Sequence, residues 1–325
     1  MWKETACTLK RGDELEDKNV VTRGIINGLL FVLLYTLLVT GIPLINTLAF
    51  IALPLPLLYI TAMYGLKTGT MVASVVTVAT VGLSLVFSSM IFVPICFAVI
   101  GVLVGYYQYM RKSAVERIVV FIIAPFLSLA MIYVIIEGLY DVSMLGAVRE
   151  TLVETQRLAA SFAVDVYDDA FIREYMQMLQ DMMPFLLLVF GTMYGFILYG
   201  LSTLVYKRVG IQYDKLPAFR NWQFPRSIIA FYFLFMLLGF ISFEQGSLMA
   251  SLSLTGFNIF SIFLLIQGLS FIQTYMYDKK ASKTVIVIVT FGLVLLMLVM
   301  QLTILFIKII GLMDLMLRLR DRLKE

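Results

Sequence analysis

The feature that most constrains this chain is a pair of long stretches without any charged residue. Residues 24–66 and 68–110 each run for 43 residues without Asp, Glu, Lys or Arg. A helix of about 20 apolar residues crosses about 30 Å of hydrocarbon, so each stretch is long enough for two crossings. Inside a bilayer the backbone must satisfy its own hydrogen bonds, which helices do and irregular segments do not. We therefore predict an all-α, polytopic integral membrane helix bundle.

The composition excludes most catalytic and metal-binding chemistry. The chain is 61% hydrophobic and contains no histidine, which removes the commonest general base and transition-metal ligand. Cys7 and Cys96 cannot form a disulfide framework or a thiolate metal site. Phosphate-binding glycine loops and nucleophile elbows are absent from the sequence. We predict no catalytic residues, no metal and no cofactor, and the small, scattered net charge of +4 predicts no nucleic-acid partner.

Hydropathy and turn residues divide the chain into about nine transmembrane helices. Pro43 with Asn46 marks a turn inside the first long stretch, and Ser88 with Ser89 marks one inside the second. The predicted helices are 24–41, 46–64, 68–86, 91–109, 118–137, 183–206, 227–243, 251–276 and 284–307.

Lys and Arg are concentrated in alternate segments between these helices. A cytoplasmic N-terminus places 17 of them inside and only three outside before the last helix. Basic residues favour the cytoplasmic side, so we predict that the N-terminus is cytoplasmic. Nine crossings then place the C-terminus outside, although Arg318, Arg320, Arg322 and Lys324 favour the inside. Eight helices with one re-entrant segment are the alternative.

These helices predict a division of the chain into four parts. Residues 1–23 form a cytoplasmic tail, 24–206 a six-helix membrane domain, 207–226 a cytoplasmic loop, and 227–325 a three-helix membrane region with a basic tail. Within the first membrane domain, 138–181 is predicted to be an extracytoplasmic insertion of two amphipathic helices. It is rich in acids. It is either a solvated interfacial hairpin or a cap over an outward-facing pocket.

A few residues near the predicted spans are candidates for function. Glu137, Asp141 and Glu244 are predicted ligand-binding residues, because ionisable groups at membrane depth are costly. The alternative is that such groups snorkel or face water. Gly24 and Gly28 lie four residues apart on the first helix and are predicted to dock a membrane partner, with internal packing as the alternative.

Several motifs resemble the YybS family of Firmicutes membrane proteins. The segment 53–69 reads LPLPLLYITAMYGLKTG, with a proline pair, a Tyr-Gly and a basic residue before the next helix. Gly101-Val-Leu-Val-Gly105 precedes a basic turn at Arg111-Lys112, and the ending 311–322 fits the same pattern. The match runs in order along most of the chain. It implies a multi-pass protein of the bacterial plasma membrane.

The N-terminal half of that family resembles the S components of energy-coupling-factor vitamin transporters. The resemblance implies small-molecule binding at the outer side and docking on a coupling subunit through the first helix, where Gly24 and Gly28 lie. This chain departs from S components by about three additional helices and an enlarged loop. The first hypothesis is therefore a transport-type small-molecule-binding subunit in the lipid bilayer. The alternative is a non-catalytic scaffold for other membrane or cell-envelope proteins, which the basic 207–226 loop would suit.

Overall fold

The computed structural model of the chain is mostly helical over the residues that it describes, and it contains no strand there. It describes residues 2–86, 91–139, 144–161, 168–241, 243–244 and 246–322. The helices are α1 (Trp2–Val39), α2 (Pro43–Ala52), α3 (Leu55–Val86), α4 (Phe92–Tyr109), α5 (Ala114–Leu139), α6 (Met144–Ser161), α7 (Asp169–Val209), α8 (Ser227–Leu238), α9 (Leu248–Asp278), α10 (Lys283–Val299), α11 (Gln301–Leu317) and α12 (Leu319–Arg322).

The all-α membrane fold is confirmed, whereas the count of nine spans is not. Within the described residues, six helical stretches are long and apolar enough to cross a membrane, and α8 and α10 are shorter apolar helices. The six stretches are Asn19–Val39, Pro43–Leu85, Phe92–Tyr109, Ala114–Gly138, Ala170–Val209 and Leu248–Asp278.

The chain forms two compact units. The first contains Met1–Ser143 and Leu187–Lys215, and the second contains Met144–Leu186 and Leu216–Glu325. Helix α7 begins in the second unit and continues into the first. The four-part division predicted from the sequence concerns different boundaries and stays a prediction.

Helix α3 reverses direction at Gly65. This residue has φ 84° and ψ −179°, a conformation that glycine reaches without the strain a side chain would add. A Cβ built at Gly69 would overlap the Thr61 side chain, although eight residues of straight helix would separate the two by about 12 Å. The chain therefore turns between the predicted helices 46–64 and 68–86, as the sequence indicates.

Glycines bring helices of the first unit into close contact. A Cβ at Gly101 would lie 2.7 Å from the carbonyl oxygen of Pro54, and one at Gly105 would lie 2.5 Å from that of Leu58. Helix α4 thus packs directly on the backbone at the start of α3. Small residues four apart allow this approach in membrane helices.

In the second unit, α8 and α11 both pack on α9. Gly268 of α9 and Gly311 of α11 meet at a crossing where a side chain on Gly311 would overlap the carbonyl oxygen of Leu264. Ile228, Leu264 and Leu315 form the buried apolar cluster around it.

Several predicted helix boundaries are wrong. The predicted helix 46–64 is divided between α2 and α3, and α8 ends at Leu238 rather than at residue 243. The second amphipathic helix of the predicted insertion is continuous with the sixth predicted span, and together they form the 41 residues of α7. The predicted helix 284–307 is broken at Met300, which has φ −122° and ψ 103°. Because the helix breaks at Met300, α11 changes direction and packs on α9. The two backbones come into contact there at Gly268 and Gly311, which a straight continuation of α10 would not reach.

Candidate functional site

The predicted ligand-binding residues lie in different places. Glu137 is half-buried near the end of α5 in the first unit, and Asp141 lies outside the described residues. Glu244 is exposed in the turn between α8 and α9, where its carbonyl oxygen accepts a hydrogen bond from the Ser247 amide at 3.1 Å. Their assignment to ligand binding stays a prediction.

Gly24 and Gly28 are buried against the same chain. A Cβ at Gly24 would lie 3.3 Å from Val72, and one at Gly28 would lie 3.0 Å from Val76, both on the second arm of α3. This is the internal packing that the sequence left open. Docking of a partner on this face would require α3 to move away.

A cavity of about 410 Å³ lies in the second unit, where α8 ends and α9 begins. Four phenylalanines form much of its wall, and the polar members are one carboxylate and one hydroxyl: Phe235, Phe240, Phe243, Phe257, Asp181 and Ser253. Sites for small molecules are commonly 300–1,000 Å³ and mostly apolar, with a few polar groups. The cavity therefore has the size and lining of a small-molecule site.

The local sequence explains why the cavity forms there. Helix α8 ends at Leu238 after only 12 residues, and Gly239 follows as its C-cap. Helix α9 begins after Ser247, whose side chain accepts a hydrogen bond from the Ala250 amide at 3.2 Å. The described residues between these caps are not in an α-helix, so no helix there covers the ends of α8 and α9.

Gly256 positions one aromatic wall of the cavity. The Phe235 ring of α8 occupies the space next to Gly256, and any side chain at this glycine would overlap the ring. The stacked rings of Phe235 and Phe260 have centroids 5.5 Å apart, which fixes the ring against α9.

Asp181 is the acidic group of the cavity. It is half-buried, and its Oδ1 accepts a hydrogen bond from Ser251 Oγ at 3.4 Å. Among the residues that the structure describes, the ion pairs are Lys112–Glu116 and Arg320–Asp314, so no Lys or Arg neutralises this carboxylate. Sequence reasoning counted Asp181 with the acids of 138–181 and gave it no role. The available signal is its position immediately before the charge-free run 182–206.

A buried polar cluster lies near the other end of α9. Asp314 is 1% exposed, and its Oδ2 accepts hydrogen bonds from Arg320 Nε at 2.9 Å and from Gln267 Nε2. The Gln267 side chain also accepts a hydrogen bond from the Phe224 amide at 3.0 Å. A buried ion pair needs this kind of additional hydrogen bonding to offset the cost of leaving water.

The same cluster holds an irregular segment of backbone. Arg320 donates to the Arg220 carbonyl oxygen at 3.0 Å and to Ser270 Oγ at 3.1 Å. Ser270 Oγ in turn donates to the carbonyl oxygens of Phe219 and Trp222 at 2.7 and 2.8 Å. Side chains thus bond carbonyl groups of this segment, where the Phe219 carbonyl oxygen also accepts the Trp222 amide at 3.1 Å in a short 3₁₀ turn.

The same contacts bear on the position of the C-terminus. Arg320 reaches the cluster because Arg318 adopts a left-handed conformation with φ 51°, which turns the chain back after α11. Arg320 therefore lies at the same end of the second unit as residues 219–222. The nine-helix arrangement puts the C-terminus on the opposite side from the 207–226 loop and is not confirmed, whereas the eight-helix alternative agrees with these contacts.

A second buried arginine holds backbone in the first unit. Arg117 is 2% exposed and donates to Gln108 Oε1 and to the Asp214 carbonyl oxygen. Gln108 Nε2 donates to the Gln212 carbonyl oxygen at 2.8 Å. Arg117 has no carboxylate partner among the described ion pairs, so backbone and amide oxygens stabilise its charge.

Over the described part of the chain, no three His, Cys, Asp or Glu side chains converge as they would around a metal ion. The arrangement in the second unit offers a carboxylate, a hydroxyl and aromatic faces. These groups can contact a small molecule through charge, hydrogen bonding and apolar contact.

Comparison with known proteins places the chain in a family. It is 26% identical to the "Uncharacterized protein YybS" of Bacillus subtilis (strain 168) over 316 residues. The aligned region covers 93% of this chain and 99% of that protein. No solved structure matches. Residues 29–315 match the family described as "Predicted membrane protein (DUF2232)". The chain therefore belongs to this DUF2232 family of membrane proteins, as the motifs resembling YybS indicate.

Proposed function

We propose that the chain is a non-catalytic, transport-type membrane subunit that binds a small molecule in the cavity of its second unit. The observation that carries this proposal is the cavity of about 410 Å³ with Asp181 in an otherwise mostly apolar wall. The resemblance of the N-terminal half to S components of energy-coupling-factor transporters motivates a transport-type role, although most of the cavity lining, residues 235–257, lies outside that half. A membrane coupling subunit is the partner that this resemblance implies.

The distribution of basic residues supports an outward opening of the cavity. With residues 207–226 in the cytoplasm, α8 runs outward and α9 returns, so their cavity end faces the outside. Arg318, Arg320 and Arg322 lie at the opposite end of the second unit, near Arg220. This arrangement removes the conflict between a basic C-terminus and a cytoplasmic N-terminus.

The test is ligand-dependent thermal stabilisation of the purified protein in detergent. A ligand at 100 times its Kd stabilises the folded state by about 2.7 kcal/mol, so a metabolite library should contain compounds that raise the Tm. Ala250→Trp fills the cavity and should abolish the shift. Ala230→Trp is the matched control, because Ala230 is exposed on α8 and does not line the cavity.

The scaffold function predicts a different outcome. Its supporting observation is the exposure of four basic side chains on the segment 207–226, which runs from the last turn of α7 to the start of α8: Lys207, Arg208, Lys215 and Arg226. Photocrosslinking in cells from position 215 should then capture one stable protein partner. Such a partner, together with a library that never raises the Tm, would favour scaffolding over small-molecule binding.

A further inference from the structure

We infer that the cavity of the second unit takes a small organic cation that carries an apolar body. This inference rests on the proposed function and names the chemical class of its ligand. The class follows from three properties of the cavity as lined by the described residues: an acid without a basic ion-pair partner, aromatic side chains, and too few oxygen ligands for a bare metal ion.

The charge of the cavity is the first argument. Asp181 is half-buried and lacks an ion-pair partner among the described residues, and its one hydrogen bond there is a long contact with Ser251. A carboxylate withdrawn from water is stabilised most by a nearby positive charge. An anionic ligand would be repelled and would leave the acid uncompensated.

The aromatic wall is the second argument. Phe235, Phe240, Phe243 and Phe257 line the cavity together with Asp181. Ring faces attract ammonium groups, most strongly when the cation is weakly hydrated, and quaternary ammonium ligands are recognised in this way. The remaining aliphatic wall favours a ligand with an apolar body rather than a fully polar cation.

The oxygen count is the third argument. Ca²⁺ takes six to eight oxygen ligands and Mg²⁺ a full octahedron, whereas Asp181 is the single carboxylate that lines this cavity. Within the described chain, no cluster of three candidate metal ligands occurs. The cavity therefore fits an organic cation better than an inorganic one.

One basic side chain lies close to a residue of the cavity wall without lining the cavity itself. Lys308 of α11 places its Nζ 5.8 Å from the centroid of the Phe257 ring, but it does not line the cavity. Its charge opposes a second cation at that ring. Removal of this charge by Lys308→Met should leave cation binding unchanged or strengthen it.

The probe for this inference is benzyltrimethylammonium, tested against its uncharged isostere neopentylbenzene and the anion phenylmethanesulfonate. We expect the cation alone to raise the Tm of the purified protein in detergent. Asp181→Asn should weaken its binding at least about tenfold, as loss of a charged contact does, while Asp181→Glu retains part of it. Glu174→Gln is the matched control, because Glu174 is an exposed acid on the same helix.

The other outcomes distinguish failure of the inferred ligand class from failure of the proposed function. Equal stabilisation by neopentylbenzene, unchanged binding in Asp181→Asn, or weaker binding in Lys308→Met would overturn the inference. If the cation has no effect but a library compound raises the Tm and Ala250→Trp abolishes that effect, the ligand class is wrong and the proposed function stands. If neither the probe nor any library compound binds, both the inferred ligand class and the proposed function are wrong. Melting of each variant without probe shows that it is folded.

Discussion

Arg320 reaches back across a left-handed turn to donate a hydrogen bond to Asp314, six residues earlier in the chain. Nε lies 2.9 Å from Oδ2, and the two side chains are 8% and 1% exposed. The pair joins the end of α11 to α9 through Gln267 and to the backbone of residues 219–222 through Ser270. Arg320 is therefore part of the packed interior of the second unit.

Arg320→Ala should destabilise the protein strongly, because it leaves the Asp314 carboxylate buried without its cation. Removal of one partner of a buried pair costs about 3–5 kcal/mol. The measurement is the free energy of unfolding by dodecyl sulfate titration in mixed micelles. Arg322→Ala is the control, since Arg322 is exposed and its loss should cost less than about 0.5 kcal/mol. Equal effects of the two substitutions would show that the pair is not structural.

Gly311→Ala should disrupt the crossing of α11 and α9. A Cβ at this position would overlap the carbonyl oxygen of Leu264, and backbone cannot yield as a flexible side chain does. We expect a loss of about 1–3 kcal/mol in the same titration. Gly292→Ala on α10 meets nothing within 4 Å and should be neutral or stabilise by up to about 1 kcal/mol. A neutral Gly311→Ala would mean that the two helices do not touch there.

Gly65→Ala should destabilise the turn inside α3. The combination of φ 84° and ψ −179° costs a residue with a side chain about 1–3 kcal/mol, and the Tyr109 ring lies 3.0 Å from the added Cβ. The Tm in detergent should fall relative to Gly82→Ala, a substitution on the same helix that meets nothing within 4 Å. A fall equal to that of Gly82→Ala would contradict a reversal at Gly65.

Arg117→Ala should loosen the backbone at residues 212–214. It removes a charged hydrogen bond to the Asp214 carbonyl oxygen and frees Gln108, so local opening should rise about tenfold or more. The readout is the rate of cleavage at Lys215 by a lysine-specific protease. Arg208→Ala, which removes an exposed arginine, should leave this rate unchanged. The same rate in both variants would show that Arg117 does not hold the segment.

The sequence predicts the fold class because charged side chains are costly in lipid, so long charge-free stretches indicate membrane helices. It also predicts the turn near Gly65, since Lys67 interrupts a charge-free stretch there. The break at Met300 has no such signal, because no proline or glycine marks it and the distant Gly268–Gly311 crossing stabilises α11 on α9.

The candidate site is less visible in the sequence for a related reason. Asp181 becomes a cavity residue only because α8 ends early, at Leu238, and the following turn leaves space beside α9. Asp314 finds Arg320 only because Arg318 reverses the chain, which helical spacing cannot indicate. Both relationships depend on tertiary packing, so neither side chain was assigned its role from the sequence.

The most direct test of the account is the sidedness of the second unit, because an outward cavity and an inner C-terminus are inseparable in this fold. Single cysteines replace Glu244, Asn221 and Arg322 in a chain with Cys7 and Cys96 changed to serine. In intact cells, a membrane-impermeant thiol reagent should label Glu244→Cys at once. It should label Asn221→Cys and Arg322→Cys only after the membrane is permeabilised. Labelling of Asn221→Cys from outside, or of Arg322→Cys from the same side as Glu244→Cys, would contradict it.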